Sequence, residues 1–468
     1  MSTSPPAHRR SRRPFYVALG VAAAAGLTFT TVGLAGQGGD NSANAASSSA
    51  VPQSKAHAPQ YADDLNGDGH FDEVFTSKTG TDTQDGDPYL GIVYGSKSGP
   101  DPDKRVLFSQ KDLGIPDGAG PGLPSDSRPT SGDLDGDGHP DLIVGPDATV
   151  VWGGAKGPQK NSPISKIQLP HDHHGDNPAY QNQPLTGDFD GDGHIDLADV
   201  RTSKDGMHVK IAVLHGPFTR DGKPARSSER SNPLANDSID EIGHLSTGDA
   251  NGDKATDLVV HEVSDDEDSS SVLLTGGAKT DTGLSDEARK LPEGNEVTFG
   301  DFDGDKRQDM VVGNSGIPND EDPDPKHVPG WIDVFYGKDP GTAHRIKGSK
   351  KGDGFGIGLT PADVDGDGHD DLAVELGTDF SAYHAAVQVL HGSAKGLGSK
   401  PWHSTKRAAP VPKDNFDAQL YHAADVNGDG KDEIGLVDCM YIDPKVGFWY
   451  THGTKNDVAK FSTAKFKP

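Results

Sequence analysis

Hydrophobic residues in this chain come in short runs. Four-residue or shorter apolar segments such as Leu142–Val144, Leu258–Val260, Met310–Val312 and Leu372–Val374 each follow directly on a glycine-rich acidic stretch. A second, later run then closes on glycine: Leu90 to Gly95, Val150 to Gly153, Ile211 to Gly216, Val272 to Gly276, Trp331 to Gly337, Val387 to Gly392 and Gly447 to Gly453. Runs of this length, β-branched and bounded by Gly and Asp, read as strands. No stretch of the chain after the first 45 residues requires a long helix, so the pattern predicts an all-β protein.

The acidic stretches set a period. They begin at Asp64, Asp133, Asp188, Asp249, Asp301, Asp363 and Asp425, separated by 69, 55, 61, 52, 62 and 62 residues. Both markers recur seven times at a spacing that suits one multi-stranded unit per repeat. A unit of several short strands cannot cover its own two apolar faces. Radial stacking buries both faces between neighbours and protects most edges, so the expected fold is a seven-bladed β-propeller over about residues 60–468. Gln60 to Asp63 is available as an inner strand at the start, and Phe461 to Phe466 extends past the last glycine. Closure by strands from both termini is therefore possible, without the sequence fixing which edges meet.

Within each acidic stretch the spacing is Asp-x-Asp/Asn-x-Asp-Gly-x-x-Asp/Glu, with two departures at the glycine. Position 1 is Asp64, Asp133, Asp188, Asp249, Asp301, Asp363 or Asp425; position 3 is Asn66, Asp135, Asp190, Asn251, Asp303, Asp365 or Asn427. Position 5 is Asp68, Asp137, Asp192, Asp253, Asp305, Asp367 or Asp429, and position 9 is Asp72, Asp141, Asp196, Asp257, Asp309, Asp371 or Glu433. A tight loop aims these oxygens at one centre. The position 7 residues, His70, His139, His194, Ala255, Arg307, His369 and Lys431, can add a backbone carbonyl, so their side chains are not required. Hard oxygen donors in a flexible cage favour Ca²⁺ over Mg²⁺, and up to seven calcium ions are expected. The loops are not EF-hands: the last acidic ligand falls at position 9, strands follow, and no consistent Glu stands at position 12. The plain alternative is a series of polar Asx-turns.

The sites are not expected to be equal. Lys254 and Lys306 stand where the other loops carry Gly at position 6, a place where positive φ is needed. The loops starting at Asp249 and Asp301 are therefore expected to bind most weakly or to adopt a different turn.

At these residues the chain resembles the FG-GAP/VCBS-repeat family, including the calcium-bearing blades of the integrin alpha-subunit propeller. Phe299 to Asp305 and Gly187 to Gly193 fit that family's loop, and Asp141 to Pro146 approaches the motif that follows it. The resemblance spans about residues 60–468. It implies that each calcium loop joins the first two strands of a blade and that the ions support one rim. Several repeats lack a clear Phe-Gly element, and the last loop ends in Glu433.

Composition adds charge and excludes partners. The 468 residues hold 72 acidic against 44 basic side chains, net −28, which argues against nucleic acid and anionic bilayers as partners. One cysteine, Cys439, excludes an intramolecular disulfide. The 25 loop carboxylates account for much of the acidity, and bound divalent cations would offset their repulsion.

The first 45 residues read as an address. Arg9, Arg10, Arg12 and Arg13 precede an apolar stretch from Tyr16 to Gly36, and Ala43 to Ala45 offers a small-x-small cleavage site. Ser11 to Phe15 resembles the twin-arginine export signal of bacteria. Cleavage after Ala45 leaves a flexible leader, 46–59, and a mature chain with no membrane span; an uncleaved signal anchor is the alternative. Either way the body is expected outside the cell, secreted or associated with the envelope.

The expected function is an extracellular recognition, adhesion or scaffold module, a monomer meeting a protein or glycan partner. The runner-up is a secreted polysaccharide-active hydrolase or lyase with a pocket on a propeller face, and a structural envelope protein is a third reading. Family resemblance does not choose among them. Partner choice is expected in the variable connections, such as 100–128, 170–183 and 314–329. No catalytic residue is assigned: His171, Asp172, His173 and His174 could bind a metal or act as acid or base, but read more readily as a solvated loop with ordinary surface chemistry. Trp152, Trp331 and Trp449 fall in the later strands and are expected in the core. Trp402 is the candidate exposed ring for stacking on a sugar or polypeptide.

Overall fold

The computed structural model describes residues 63–79, 86–115, 123, 128–170, 183–202, 208–235, 241–262, 270–294, 296–316, 328–351, 354–376, 386–406, 419–437 and 447–468. The predicted signal and leader, the His171 to His174 segment and Cys439 lie outside them. Among the described residues there is no helix, and so none long and apolar enough to cross a membrane.

Seven antiparallel sheets form in chain order. Blade 2 is representative: strands Thr130–Gly132, Asp141–Val144, Thr149–Val151 and Ile164–Lys166 follow one another from the inside out. Blades 3 to 7, at 185–231, 244–290, 296–351, 357–406 and 419–462, repeat the four-strand order; blade 1, at 73–109, has three described strands.

The second strand of each blade is buried along nearly all its length, because its two faces meet two different neighbours. In blade 2, Leu142 and Val144 point into a cluster with Leu90, Ile92 and Phe108 of blade 1. Ile143, between them, joins Leu197, Ala212 and Leu214 of blade 3. A strand sandwiched in this way has no polar face, which is why these segments read as continuous apolar runs. The outer strands are the opposite: Ala343–Lys351 is mostly exposed and carries four lysine or arginine side chains, a charged edge that discourages pairing with other chains.

Seven hydrophobic clusters fill the seven blade interfaces, so the ring closes. Closure between blades 7 and 1 is made by side chains. Phe71, Phe75 and Tyr89 pack against Phe448, Tyr450, Phe461 and Phe466, with the Phe75 and Phe448 ring centres 5.1 Å apart. The C-terminal strand Ala459–Ser462 completes blade 7 itself and pairs with no strand of blade 1 among the described residues. Phe466 lies beyond it as a packing residue.

One buried ion pair sits inside an interface. Asp199 and Arg201 alternate with Ala198 and Val200 in the second strand of blade 3, so they share the face that Leu197 turns toward blade 2. Both are at most 3% exposed, and the guanidinium meets the carboxylate directly.

Candidate metal loops and the capping glycines

Every acidic loop lies between the first and second strands of a blade, or ahead of the first described strand in blade 1. Strand direction alternates, so all seven loops fall on one rim. Each is organised by its own carboxylates. The position 1 carboxylate accepts the N–H of position 5 on one oxygen and of position 6 on the other, as in Asp133 with Asp137 at 3.0 Å and Gly138 at 2.8 Å. The same pair of bonds recurs in the other six loops. Position 5 in turn accepts the N–H of position 7, at 2.9 to 3.1 Å.

Lys254 and Lys306 do not change the turn. They adopt φ of +77° and +68°, alongside +83° for Gly69 and +88° for Gly138, and keep the bond to position 1. The expected different turn is therefore corrected: the carboxylate at position 1 holds the loop in the left-handed region, where a lysine costs about 1 kcal/mol or more relative to glycine.

Position 9 is fully buried in all seven loops. One of its oxygens accepts the N–H of position 2, for example Leu134 to Asp141 at 3.0 Å. In six blades the other accepts the N–H of the glycine that ends the third strand: Gly95, Gly153, Gly216, Gly276, Gly337 and Gly392, at 2.7 to 2.9 Å. This joins the two sequence markers of the repeat. Glycine is required because a Cβ there would stand 2.1 to 2.6 Å from the carbonyl oxygen of position 8. Gly392→Ala should force this strand end away from the loop and leave a buried carboxylate oxygen short of a donor. We expect a loss of about 2 to 4 kcal/mol, read as a shifted denaturant midpoint.

Burial pushes the position 9 carboxyls up, and neighbouring loop carboxylates add to it: Asp72 to about 8, and Asp141, Asp257 and Asp309 to about 7. Burial likewise raises Asp133, Asp188, Asp301 and Asp363 at position 1.

Position 8 was silent in the sequence reading. In blades 4 to 7 its polar side chain reaches the preceding loop and accepts the N–H of position 1: Thr256 to Asp188, Gln308 to Asp249, Asp370 to Asp301 and Asp432 to Asp363, at 2.7 to 3.0 Å. Loops 3 to 7 are thus chained around the rim. The available signal was the change from Phe71, Pro140 and Ile195 to polar residues at that position.

The donor set fits a divalent cation. Donor oxygens of Asp133, Asp135 and Asp141, and of Asp188, Asp190 and Asp192, lie within 4.8 Å of one another. Oδ1 of Asp190 and of Asp303 is buried without a hydrogen-bond partner. Basic side chains lean over three loops: Arg220 is 2.5 Å from both Asp135 and Asp137, Arg226 is 2.5 Å from Asp190, and Lys338 meets Asp303. These cations are 40% to 54% exposed, so the pairs contribute little against a bound ion.

Three histidines complete the loops, and the sequence reading passed over them. His215, His391 and His452 directly precede the glycine that ends the third strand. Each joins two loop carboxylates within 4.8 Å: Asp190 and Asp196, Asp365 and Asp367, and Asp429 and Glu433.

Of the tryptophans, Trp152 is fully buried as expected. Trp331 and Trp449 are only partly buried, Trp449 packing against the cluster between blades 6 and 7. Trp402 is 41% exposed, flanked by His391 and His403. A depression of about 480 Å³ beside loop 1 is lined by Asp68, His70, Ser96, Lys97, Ser98 and Lys104.

Fold and loops together define an all-β, seven-bladed propeller with one acidic loop per blade. Residues 115–198, which span loops 2 and 3, match the family model described as FG-GAP-like repeat. No curated protein sequence matches the chain. Among solved structures it is similar to the Dos1 propeller, at 10% identity over 84% of this chain and 89% of that one, TM-score 0.40. It is also similar to a mutant of AofleA from Arthrobotrys oligospora, at 10% identity over 70% and 83%, TM-score 0.36. A third likeness is to the Photorhabdus luminescens Tc holotoxin pore, at 14% identity over 75% of this chain and 15% of that chain, TM-score 0.33.

Proposed function

We propose that this protein is a calcium-loaded, secreted propeller that serves as an extracellular recognition or scaffold module. The observation that carries this reading is the sevenfold recurrence of one pre-organised oxygen cage on one rim. Positions 1, 3, 5 and 9 would hold the ion, and the ion would supply charge neutralisation to a rim crowded with carboxylates. Metal binding of this kind stabilises a frame whose outer surface is free to vary, which suits recognition better than a single conserved reaction centre. Trp402 is the exposed ring best suited to meet a glycan or polypeptide.

The depression beside loop 1 is the place a polysaccharide-active site would use, but its carboxylate, Asp68, is a cage residue. A glycosidase needs two carboxyl groups flanking the scissile bond.

The test is metal content. The chain 46–468, freed of metal and dialysed against calcium, should hold five to seven ions; zero or one would overturn the calcium reading. The same preparation should bind surface glycans or envelope proteins saturably and release no cleaved product, whereas turnover would favour the hydrolase or lyase.

A further inference from the structure

We propose that the outer edge of blade 5, the strand Ala343–Lys351, is a docking edge for an extended acidic segment of a partner polypeptide, which adds to the sheet as a fifth strand. The inference rests on the recognition reading above and names where, and by what chemistry, the partner is met.

Charge is divided between rim and outer wall. The chain holds 72 acidic side chains against 44 basic ones, yet the described side chains of the seven outermost strands include eleven lysines and arginines and one acid, Glu229. A charge on each edge keeps exposed strands from pairing with their like. In most blades these cations are also engaged within the molecule. Arg230 donates to the carbonyl of Ser285 at 2.5 Å, Arg226 and Lys166 meet Asp190 and Asp147 at 2.5 and 2.7 Å, and Lys460 lies 3.6 Å from Asp457. Arg105 and Arg289 lie over the rings of Phe466 and Phe335.

Blade 5 differs. Of the four cations on its outer strand only Arg345 is engaged, held to Asp333 at 2.8 and 2.6 Å and lying over the Trp331 ring. Lys347, Lys350 and Lys351 are exposed and have no ion pair among the described residues. Three uncompensated cations on one edge exceed what guarding that edge requires.

The strand itself suits an incoming chain. At nine residues it is the longest strand among the described residues, and its outward edge pairs with no described strand. Past Lys347 the register slips, so that Lys347 to Lys351 stands against Trp331 to Pro329. A bulge at a sheet edge re-aims side chains, and this one falls among the free lysines. The inner side of the strand already shows the pairing expected on the outer side: Asp333 of the third strand stands directly opposite Arg345 and binds it. An acidic strand on the free edge would repeat that cross-strand arrangement with the lysines.

Unpaired backbone N–H and C=O groups along the edge supply hydrogen bonds at the period of a strand. A sugar chain does not match that period, so a peptide fits better than an anionic glycan. The lysines set specificity as well. A second copy of this chain presents outer strands of the same sign and is repelled, whereas an acidic strand is admitted.

The probe is a fluorescently labelled peptide alternating Glu and Thr and matching the strand in length, added to calcium-equilibrated chain 46–468. We expect saturable binding that weakens with added salt, and slowed amide hydrogen exchange across 343–347 in the bound protein. Neutralising the exposed lysines together, as K347Q, K350Q and K351Q, should weaken binding about tenfold or more. Reversing them, as K347E, K350E and K351E, should transfer binding to a peptide alternating Lys and Thr, and W402A should bind the acidic peptide as the wild type does. Binding without slowed exchange at this edge would overturn the proposal, and that measurement needs no variant. Unchanged affinity in the neutralised variant, loss of binding in W402A, or tighter binding of a carboxylated polysaccharide than of the peptide at the same salt would overturn it too. If the peptide binds and slows exchange but no envelope protein or glycan binds the chain, the docking edge stands and only the recognition reading fails.

Discussion

Calcium should raise the thermal midpoint of this chain strongly at pH 8 and much less at pH 5. In the metal-free protein Asp72 is pushed up to about 8, and Asp141, Asp257 and Asp309 to about 7, all from 3.8, chiefly by burial. The native state therefore keeps protons that the unfolded chain releases near pH 4. The stability linked to those protons is fully present below about pH 4 and is lost as pH rises through 7 to 8. Without calcium the midpoint should fall across that window. Calcium needs the same carboxyls ionised, so it competes with protons at low pH and replaces them at high pH. A loop held at 100 times its dissociation constant adds about 2.7 kcal/mol, and several loops act together. Calorimetry of dialysed, calcium-free protein with and without added calcium at both pH values reads this directly. An equal gain at pH 5 and pH 8, or a metal-free midpoint that climbs with pH, would contradict it.

Asp199→Ala should cost about 3 to 5 kcal/mol, the largest effect expected from a single side chain away from the rim. Asp199 and Arg201 are enclosed between blades 2 and 3, where Nη2 of Arg201 meets the Asp199 carboxylate directly and Nε has no hydrogen-bond partner. Removing the carboxylate leaves a guanidinium in an apolar interface with nothing to balance its lost hydration. Replacing both residues together, as Asp199→Leu with Arg201→Met, should recover most of the loss, because an apolar pair of similar volume avoids the charge. Denaturant midpoints of the single and double variants measure both. A double variant as unstable as the single one would show that packing, and not the unpaired charge, sets the cost.

The loops and the blade count were legible because their causes are local. A carboxylate at position 1 must accept the N–H groups of positions 5 and 6, so Asp, Asp and Gly recur at fixed spacing whatever surrounds them. The second and third strands were legible because they are buried on both faces. Much of the remainder was not. The first strands are short and rich in Thr, Ser and Gly, and outer strands such as Arg226–Ser231 are polar and half-exposed, so neither leaves an apolar period. The polar residue at position 8 acts only on the preceding loop, across a blade boundary, and nothing within its own repeat announces that partner.

By itself, then, the sequence determined the repeat, the number of blades and the oxygen donors grouped in each loop, since all of these follow from patterns and contacts within about ten residues. Tertiary structure decided what depends on segments far apart in the chain. Closure is by aromatic packing of Phe75 on Phe448 rather than by a shared strand, because both termini arrive with their own blades already paired. Histidines about 20 residues downstream of position 9 enter the loops because the third strand returns its end to the rim, and only the pairing of strands brings those atoms together.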